Sequence, residues 1–216
     1  MSSERQQTLD RILDRRVSAI IRTQSKHMAG DAMAAAVDGG FELVEFTLTT
    51  PGALELISEF ASRPNLVVGA GTVMSADMAR DAVSSGARFL VSPLCDPDVV
   101  RAAADLGVVV IPGAQTPTEM HRAHTMGADL IKLFPAPFGG VDFVRAVRGP
   151  LPHLKLFPTA GVDADNFLAY FDAGCAGAGF VRSLFNLDDL SAGSFDAIRR
   201  RAALIIARLE AWKKRR

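Results

Sequence analysis

The sequence predicts an α/β fold, a closed (β/α)8 or TIM barrel with an extra N-terminal helix. Three observations predict it. Short β-branched apolar runs alternate with alanine-rich amphipathic stretches eight times along the 216 residues. Most boundaries carry glycine or proline, and the connections are a few residues long. Strands separated by helices cannot pair as hairpins, so they form a parallel sheet, and eight such units are the pattern of a closed barrel. An open doubly wound sheet is the alternative, but its GxGxxG fingerprint after the first strand is missing. Gly69-Ala70-Gly71 is a GxG only, and it follows the third run. One domain over residues 1–216 is expected, with residues 1–16 as a helix capping one barrel end.

The elements follow in order. Val17–Arg22 is the first run, with a helix near His27–Asp38 that stops at Gly39-Gly40. Glu42–Thr47 is the second, with a helix opening at Thr50-Pro51, because proline fits the first helical position. Leu66–Gly71 precedes a helix from Ser75 to Ser84, and Arg88–Ser92 precedes one from Asp96 to Leu106. Val108–Pro112 is the fifth run; Thr116-Pro117-Thr118-Glu119 then supplies Thr at N-cap, Pro at N1 and Glu at N3, a capping box. Asp129–Phe134 leads to a helix over Val141–Val147, and Leu154–Pro158 to one over Asp163–Asp172. Ala176–Val181 is the eighth run, followed by a long last helix within Ser194–Lys213.

Composition narrows the function classes. Lys+Arg and Asp+Glu are both 24, so no net charge draws the chain to nucleic acid or to an anionic membrane. The basic runs Arg199-Arg200-Arg201 and Lys213–Arg216 read as solvated helix faces. No apolar run approaches the roughly 20 residues that span a bilayer. Met1 to Asp10 is too polar for a secretory leader. Cys95 and Cys175 form no CxxC, so a reducing cytoplasm is the expected location. His121 and His124 have no carboxylate cluster beside them, and no metal or other cofactor is implied.

Barrel sites lie at the C-terminal ends of strands, so the polar residues there are the candidates. Lys132 is one of five lysines and sits inside Asp129–Phe134. Alternation puts it on one face with Leu130 and Phe134. Against the helix layer its charge would be stranded in an apolar seam, so it faces the barrel. Desolvated there, it becomes a usable amine nucleophile. Glu45 shares a face with Leu43 and Thr47 and is its natural proton-shuttling counterpart. A buried Lys–Glu ion pair without chemistry is the competing reading, and sequence does not separate the two. Arg22 ends the first strand, where a guanidinium suits a carboxylate or phosphate, or a rim salt bridge. Thr72 and Thr159 follow strands three and seven and could hydrogen-bond a substrate or serve their turns. The loops after strands seven and eight, which bind phosphate in many barrels, offer Gly161, Arg182 and Ser183.

From Val17 to Phe185 these features resemble the class I pyruvate-dependent aldolases of 2-keto-3-deoxy-6-phosphogluconate (KDPG) and 4-hydroxy-2-oxoglutarate (KHG). The resemblance is carried by Ala19-Ile20-Ile21-Arg22, Val44-Glu45-Phe46-Thr47, Gly69-Ala70-Gly71-Thr72-Val73, Val91-Ser92-Pro93, Ile111-Pro112-Gly113-Ala114, Thr116-Pro117-Thr118-Glu119 and Lys132-Leu133-Phe134-Pro135-Ala136. It implies that Lys132 forms a Schiff base with a keto acid, that Glu45 moves protons, and that Arg22 holds the pyruvate carboxylate. It further implies that Thr72 and Thr159 contact substrate, that Pro112 helps shape the pocket, and that the protein is a homotrimer.

Two departures concern the phosphate loops. The family usually has Gly-Gly where this chain has Ala160-Gly161, and Gly-Ser where it has Val181-Arg182 before Ser183. The segment Gly174–Gly179 resembles relatives that act on the galactonate epimer of KDPG. The expected function is cleavage of KDPG or that epimer to pyruvate and glyceraldehyde 3-phosphate. The alternatives are a KHG aldolase or related keto-acid lyase for a non-phosphorylated substrate, and a barrel that binds a keto acid or sugar phosphate without turnover.

Overall fold

The computed structural model describes residues 3–136 and 139–216. Met1 and Ser2 of the expected capping helix, and Pro137 and Phe138 of the expected domain, lie outside the described residues. The elements run α1 (Ser3–Arg15), β1 (Val17–Ile21), α2 (Lys26–Asp38), β2 (Leu43–Thr47), α3 (Ala53–Ala61), β3 (Val67–Gly71), α4 (Ala76–Ser84), β4 (Phe89–Val91), α5 (Pro97–Asp105), β5 (Val109–Ile111), β6 (Gly113–Ala114), α6 (Pro117–Thr125), β7 (Ile131–Leu133), α7 (Gly140–Arg148), β8 (Leu156–Pro158), α8 (Phe167–Asp172), β9 (Ala178–Phe180), α9 (Leu187–Ser191) and α10 (Phe195–Lys213).

Every strand pairing is parallel. Six strands hydrogen-bond in the order β5-β4-β3-β2-β1-β9 and three in the order β6-β7-β8. Pro112 alone separates β5 from β6. One parallel bridge, Thr159 to Gly179, joins the far edge of β8 to β9. The result is a curled parallel sheet with helices packed outside it.

Two apolar clusters explain why the strands read as almost continuous hydrophobic runs. Outward residues such as Val44, Phe46, Leu90, Val110, Ile131, Leu133 and Leu156 pack against the helices. Inward residues Leu43, Val67, Phe89, Val91, Val109, Ile111, Leu130 and Phe157 form a second cluster inside the curl. Leu9 and Ile12 of α1 join that inner cluster. Polar contacts fix α1 across the N-terminal ends of the strands: Arg5 pairs with Asp129 at 2.8 Å, and Arg15 with Glu42 at 2.9 Å. The Asp129 carboxylate also accepts from Val110 N, which ties α1 to β5.

Four local readings change, the simplest being that α8 begins at Phe167 and not at Asp163. The fifth run splits into β5 and β6, because Pro112 has no N–H to give the ladder. Gly113 N donates instead to Leu94 O at 3.3 Å, and a Cβ at Gly113 would collide with the Pro93 carbonyl. Pro51 does not start α3. Gly52, left-handed at φ 69, is its N-cap, and the Thr50 hydroxyl accepts from Thr23 N. The short α9, capped by Asn186, was not expected. The predicted capping box of α6 is present at Thr116 and Glu119. Among the described residues, no helix is long and apolar enough to cross a membrane.

Candidate active site

A cavity of about 370 Å³ opens where the C-terminal ends of β1, β2, β7, β8 and β9 converge. Strand alternation delivers its walls: Ile20 of β1 and Arg22 just after it, Glu45 and Thr47 of β2, and Lys132 of β7 with Phe134 just after it. The loops after β8 and β9 complete it with residues 159–163 and 181–183.

Lys132 and Glu45 form the inner end. They are 6% and 2% exposed. Burial holds the Lys132 amine below the ordinary lysine value; Glu45 pulls it back up and Arg22 pushes it further down. Burial likewise raises the Glu45 carboxyl above the usual carboxylate range, against the pull of Lys132 and Arg22. Burial thus moves the two groups toward each other, favouring a neutral amine beside a carboxyl that keeps its proton more readily than a free one. The Phe134 ring also flanks the amine, its centroid 4.7 Å from Lys132 Nζ. The strand itself hangs on Pro112, whose carbonyl accepts from Lys132 N at 2.9 Å.

Other predicted residues fall in different places. Thr159 is buried and lines the cavity, as does Gly161. Arg22 is exposed at the mouth and donates to Thr72 Oγ1 at 3.2 Å. Thr72, left-handed at φ 61, and Pro112 are not among the cavity's walls. Thr72 reaches the site through Arg22, and Pro112 through the Lys132 backbone. Arg182 lines the outer end and is exposed. Ser183 lines it too, but its hydroxyl donates to Val162 O at 2.6 Å, binding one loop to the other. Ala160 adopts the left-handed region at φ 62, where glycine is the easier residue.

The sequence reading passed over three contributors. Gly71 is the least visible: a Cβ there would collide with Glu45 Oε1 and Cδ, so the bare glycine gives the carboxyl its room. Thr47 contributes a hydroxyl tied to Thr49 and Thr50 at 3.1 and 3.2 Å, and its period-two spacing from Glu45 was the available signal. Asp163 brings a carboxylate to the outer end, where its Oδ1 accepts from the backbone N–H groups of Asp165 and Asn166. Cys175 is no rival nucleophile, since burial pushes its thiol up to about 12. His124 stacks near His153, with centroids 4.7 Å apart, and among the described residues no three metal-ligating side chains cluster.

A curled parallel sheet with a buried lysine and glutamate at its strand ends defines a class of protein suited to imine chemistry. The chain belongs to the KDPG and KHG aldolase family, whose model matches residues 9–200. It is 34% identical over 196 residues to the 2-dehydro-3-deoxy-phosphogluconate aldolase of Pseudoalteromonas atlantica, covering 88% of this chain and 89% of that one. It is 32% identical over 170 residues to the 2-dehydro-3-deoxy-6-phosphogalactonate aldolase of Escherichia coli, covering 77% of this chain and 83% of that one. Among solved structures it is similar to the KDPG aldolase of Legionella pneumophila with pyruvate captured as a covalent carbinolamine. There the TM-score is 0.81 at 26% identity, covering 88% of this chain and 93% of that one.

Proposed function

We propose that this chain is a class I aldolase, a carbon–carbon lyase that cleaves KDPG or its galactonate epimer to pyruvate and glyceraldehyde 3-phosphate. The observation that carries this is the burial of Lys132 and Glu45 together in the cavity at the strand ends. The Lys132 amine adds to the C2 ketone, and loss of water gives an iminium. That iminium accepts the electron pair of the C3–C4 bond while Glu45 takes the proton of the C4 hydroxyl. The aldehyde leaves, and the enamine is protonated at C3. Water then hydrolyses the imine, returning the amine and releasing pyruvate. Arg22 holds the pyruvate carboxylate, steadied by Thr72, and Thr159 hydrogen-bonds the substrate. Pro112 acts as a support for Lys132.

Gly161, Arg182 and Ser183 hold the phosphate in this reading. A second reading, a KHG aldolase or related keto-acid lyase for a non-phosphorylated substrate, is favoured by the commitment of the Ser183 hydroxyl to Val162 and by the bulk of Ala160 and Val181. The polypeptide is read as one domain, an eightfold barrel capped by α1. The Pro112 junction and the Thr159–Gly179 bridge support closure. Family membership also supports reading the protein as a cytoplasmic homotrimer that acts in sugar-acid breakdown of the Entner–Doudoroff type.

Borohydride trapping with pyruvate, read by peptide mass spectrometry, tests the reading. The expected result is a reduced pyruvyl adduct on the Lys132 peptide, lost in Lys132→Met. A folded protein that gives no adduct at saturating pyruvate would overturn it and favour a barrel that binds without turnover.

A further inference from the structure

Beneath the Lys132–Glu45 pair, on the side away from the mouth, lies a second cavity of about 10 Å³. Its walls include Ile12 of α1, Leu43, Phe89 and Phe157, which are apolar, and Ser18, Glu45, Lys132 and Thr159, which are not. Ser18 pairs in register with the inward Leu43, and it is 2% exposed. A hydroxyl at that depth in an apolar cluster costs stability unless it is hydrogen-bonded. Among the described residues, Ser18 Oγ and Glu45 Oε1 are the buried side-chain oxygens with no protein partner. Both residues line this one cavity.

Volume and polarity together select the occupant. A cavity of roughly 10–15 Å³ accepts one water and no larger ligand, and a buried water needs two to four polar partners. We propose that this cavity holds one internal water bound to the Ser18 hydroxyl and the Glu45 carboxyl, and that Ser18 is thereby a positioning residue for Glu45. Water suits the place for a chemical reason. It donates to Glu45 when the group is a carboxylate and accepts from it when the group is protonated. A fixed amide donor serves only one of those states. Glu45 alternates between them in the aldolase cycle, so an ambivalent partner keeps its side chain in one pose throughout. The groups facing Glu45 from the neighbouring elements are Lys132 of β7, Arg22 after β1 and the bare Gly71 of β3.

The role given to Ser18 rests on the aldolase reading; the water does not. A high-resolution crystal structure of the parent protein should show a solvent peak within hydrogen-bond distance of Ser18 Oγ and Glu45. Ser18→Ala should lose that peak and lower kcat about 5- to 20-fold, the scale of one catalytic hydrogen bond, with KM for the keto acid unchanged. The kcat pH profile should shift as well, because the carboxyl has lost a donor. Ser18→Thr, which keeps the hydroxyl, should restore most of the rate. A cavity without solvent density overturns the water, and a Ser18→Ala enzyme with parental kcat and pH profile overturns the positioning role. Failure of the parent to trap pyruvate on Lys132 would instead strike the aldolase reading, and leaves the crystallographic test of the water intact.

Discussion

The two ends of the main cavity are built on opposite principles. At the inner end, Lys132 and Glu45 come from strands β7 and β2, are almost wholly buried, and are held by backbone and packing. At the outer end, Arg182 and Asp163 come from loops, Arg182 stands in solvent, and Ser183 is spent on loop-to-loop contact. Desolvation is what shifts the inner pair, and it requires rigid strands to keep water out. Recognition of a substrate tail needs no such shift and tolerates change, as loops do. Under the proposed function, the difference teaches that reaction type resides in the strands of this fold and substrate identity in the loops after β8 and β9.

The comparison can be broken at the inner end first. Gly71→Ala drives a methyl into the Glu45 carboxyl, which is the flexible end of a side chain and can swing aside. The expected outcome is a fall in kcat of about 100-fold, the low end of what a general acid–base group contributes, with melting temperature nearly unchanged. Steady-state kinetics beside a thermal melt checks it, and a kcat within a few-fold of the parent would separate Glu45 from the chemistry. Arg22→Leu removes the mouth guanidinium and should raise KM for the keto acid about 10- to 100-fold, the scale of a charge-assisted hydrogen bond. An unchanged KM would return Arg22 to a rim salt bridge.

At the outer end the effects are smaller. Arg182→Ser should reduce kcat/KM for a phosphorylated substrate about 3- to 10-fold and leave a non-phosphorylated one alone, with the gap closing as salt is added. Equal losses on both substrates would show that Arg182 does not read phosphate. The last prediction, read as a shift in pH and not as a loss of rate, sharpens the inner end again. Glu45 raises the pKa of Lys132. Removing the negative charge in Glu45→Gln therefore lowers the lysine further, and the neutral amine persists to lower pH. The acid limb of the pyruvate-trapping rate should move downward in pH; a limb that stays put or rises would uncouple the pair.

Much of this was legible in the sequence because strand alternation has a fixed period. Glu45 and Thr47 lie two apart on β2, and Phe134 lies two beyond Lys132 just past the end of β7, so their common facing followed from counting. The inward placement of Leu43 and Leu130 followed in the same way. What escaped depends on neighbours distant in sequence. The room that Gly71 gives Glu45 is a cross-strand fact, since residue 71 speaks to β2 and not to its own chain neighbours. The Ser183–Val162 contact joins two loops 21 residues apart. Helix α9 is a turn and a half, too short for a helical period to emerge. The start of α3 was misplaced because Thr50-Pro51 reads as a cap, whereas the Thr50 hydroxyl is engaged across to Thr23 and Thr47.

Helix α1 has a consequence for traffic. Because Leu9 and Ile12 plug the N-terminal side of the inner cluster, the reaction cavity is a blind well with its mouth at the strand C-termini. Under the proposed function, a bifunctional substrate enters such a well head first, keto acid to Lys132 and tail toward Arg182. After cleavage the fragment nearer the mouth departs first, while the other stays tethered at the bottom. In the condensation direction the queue reverses, and whichever molecule must reach the floor has to arrive before the one that corks it.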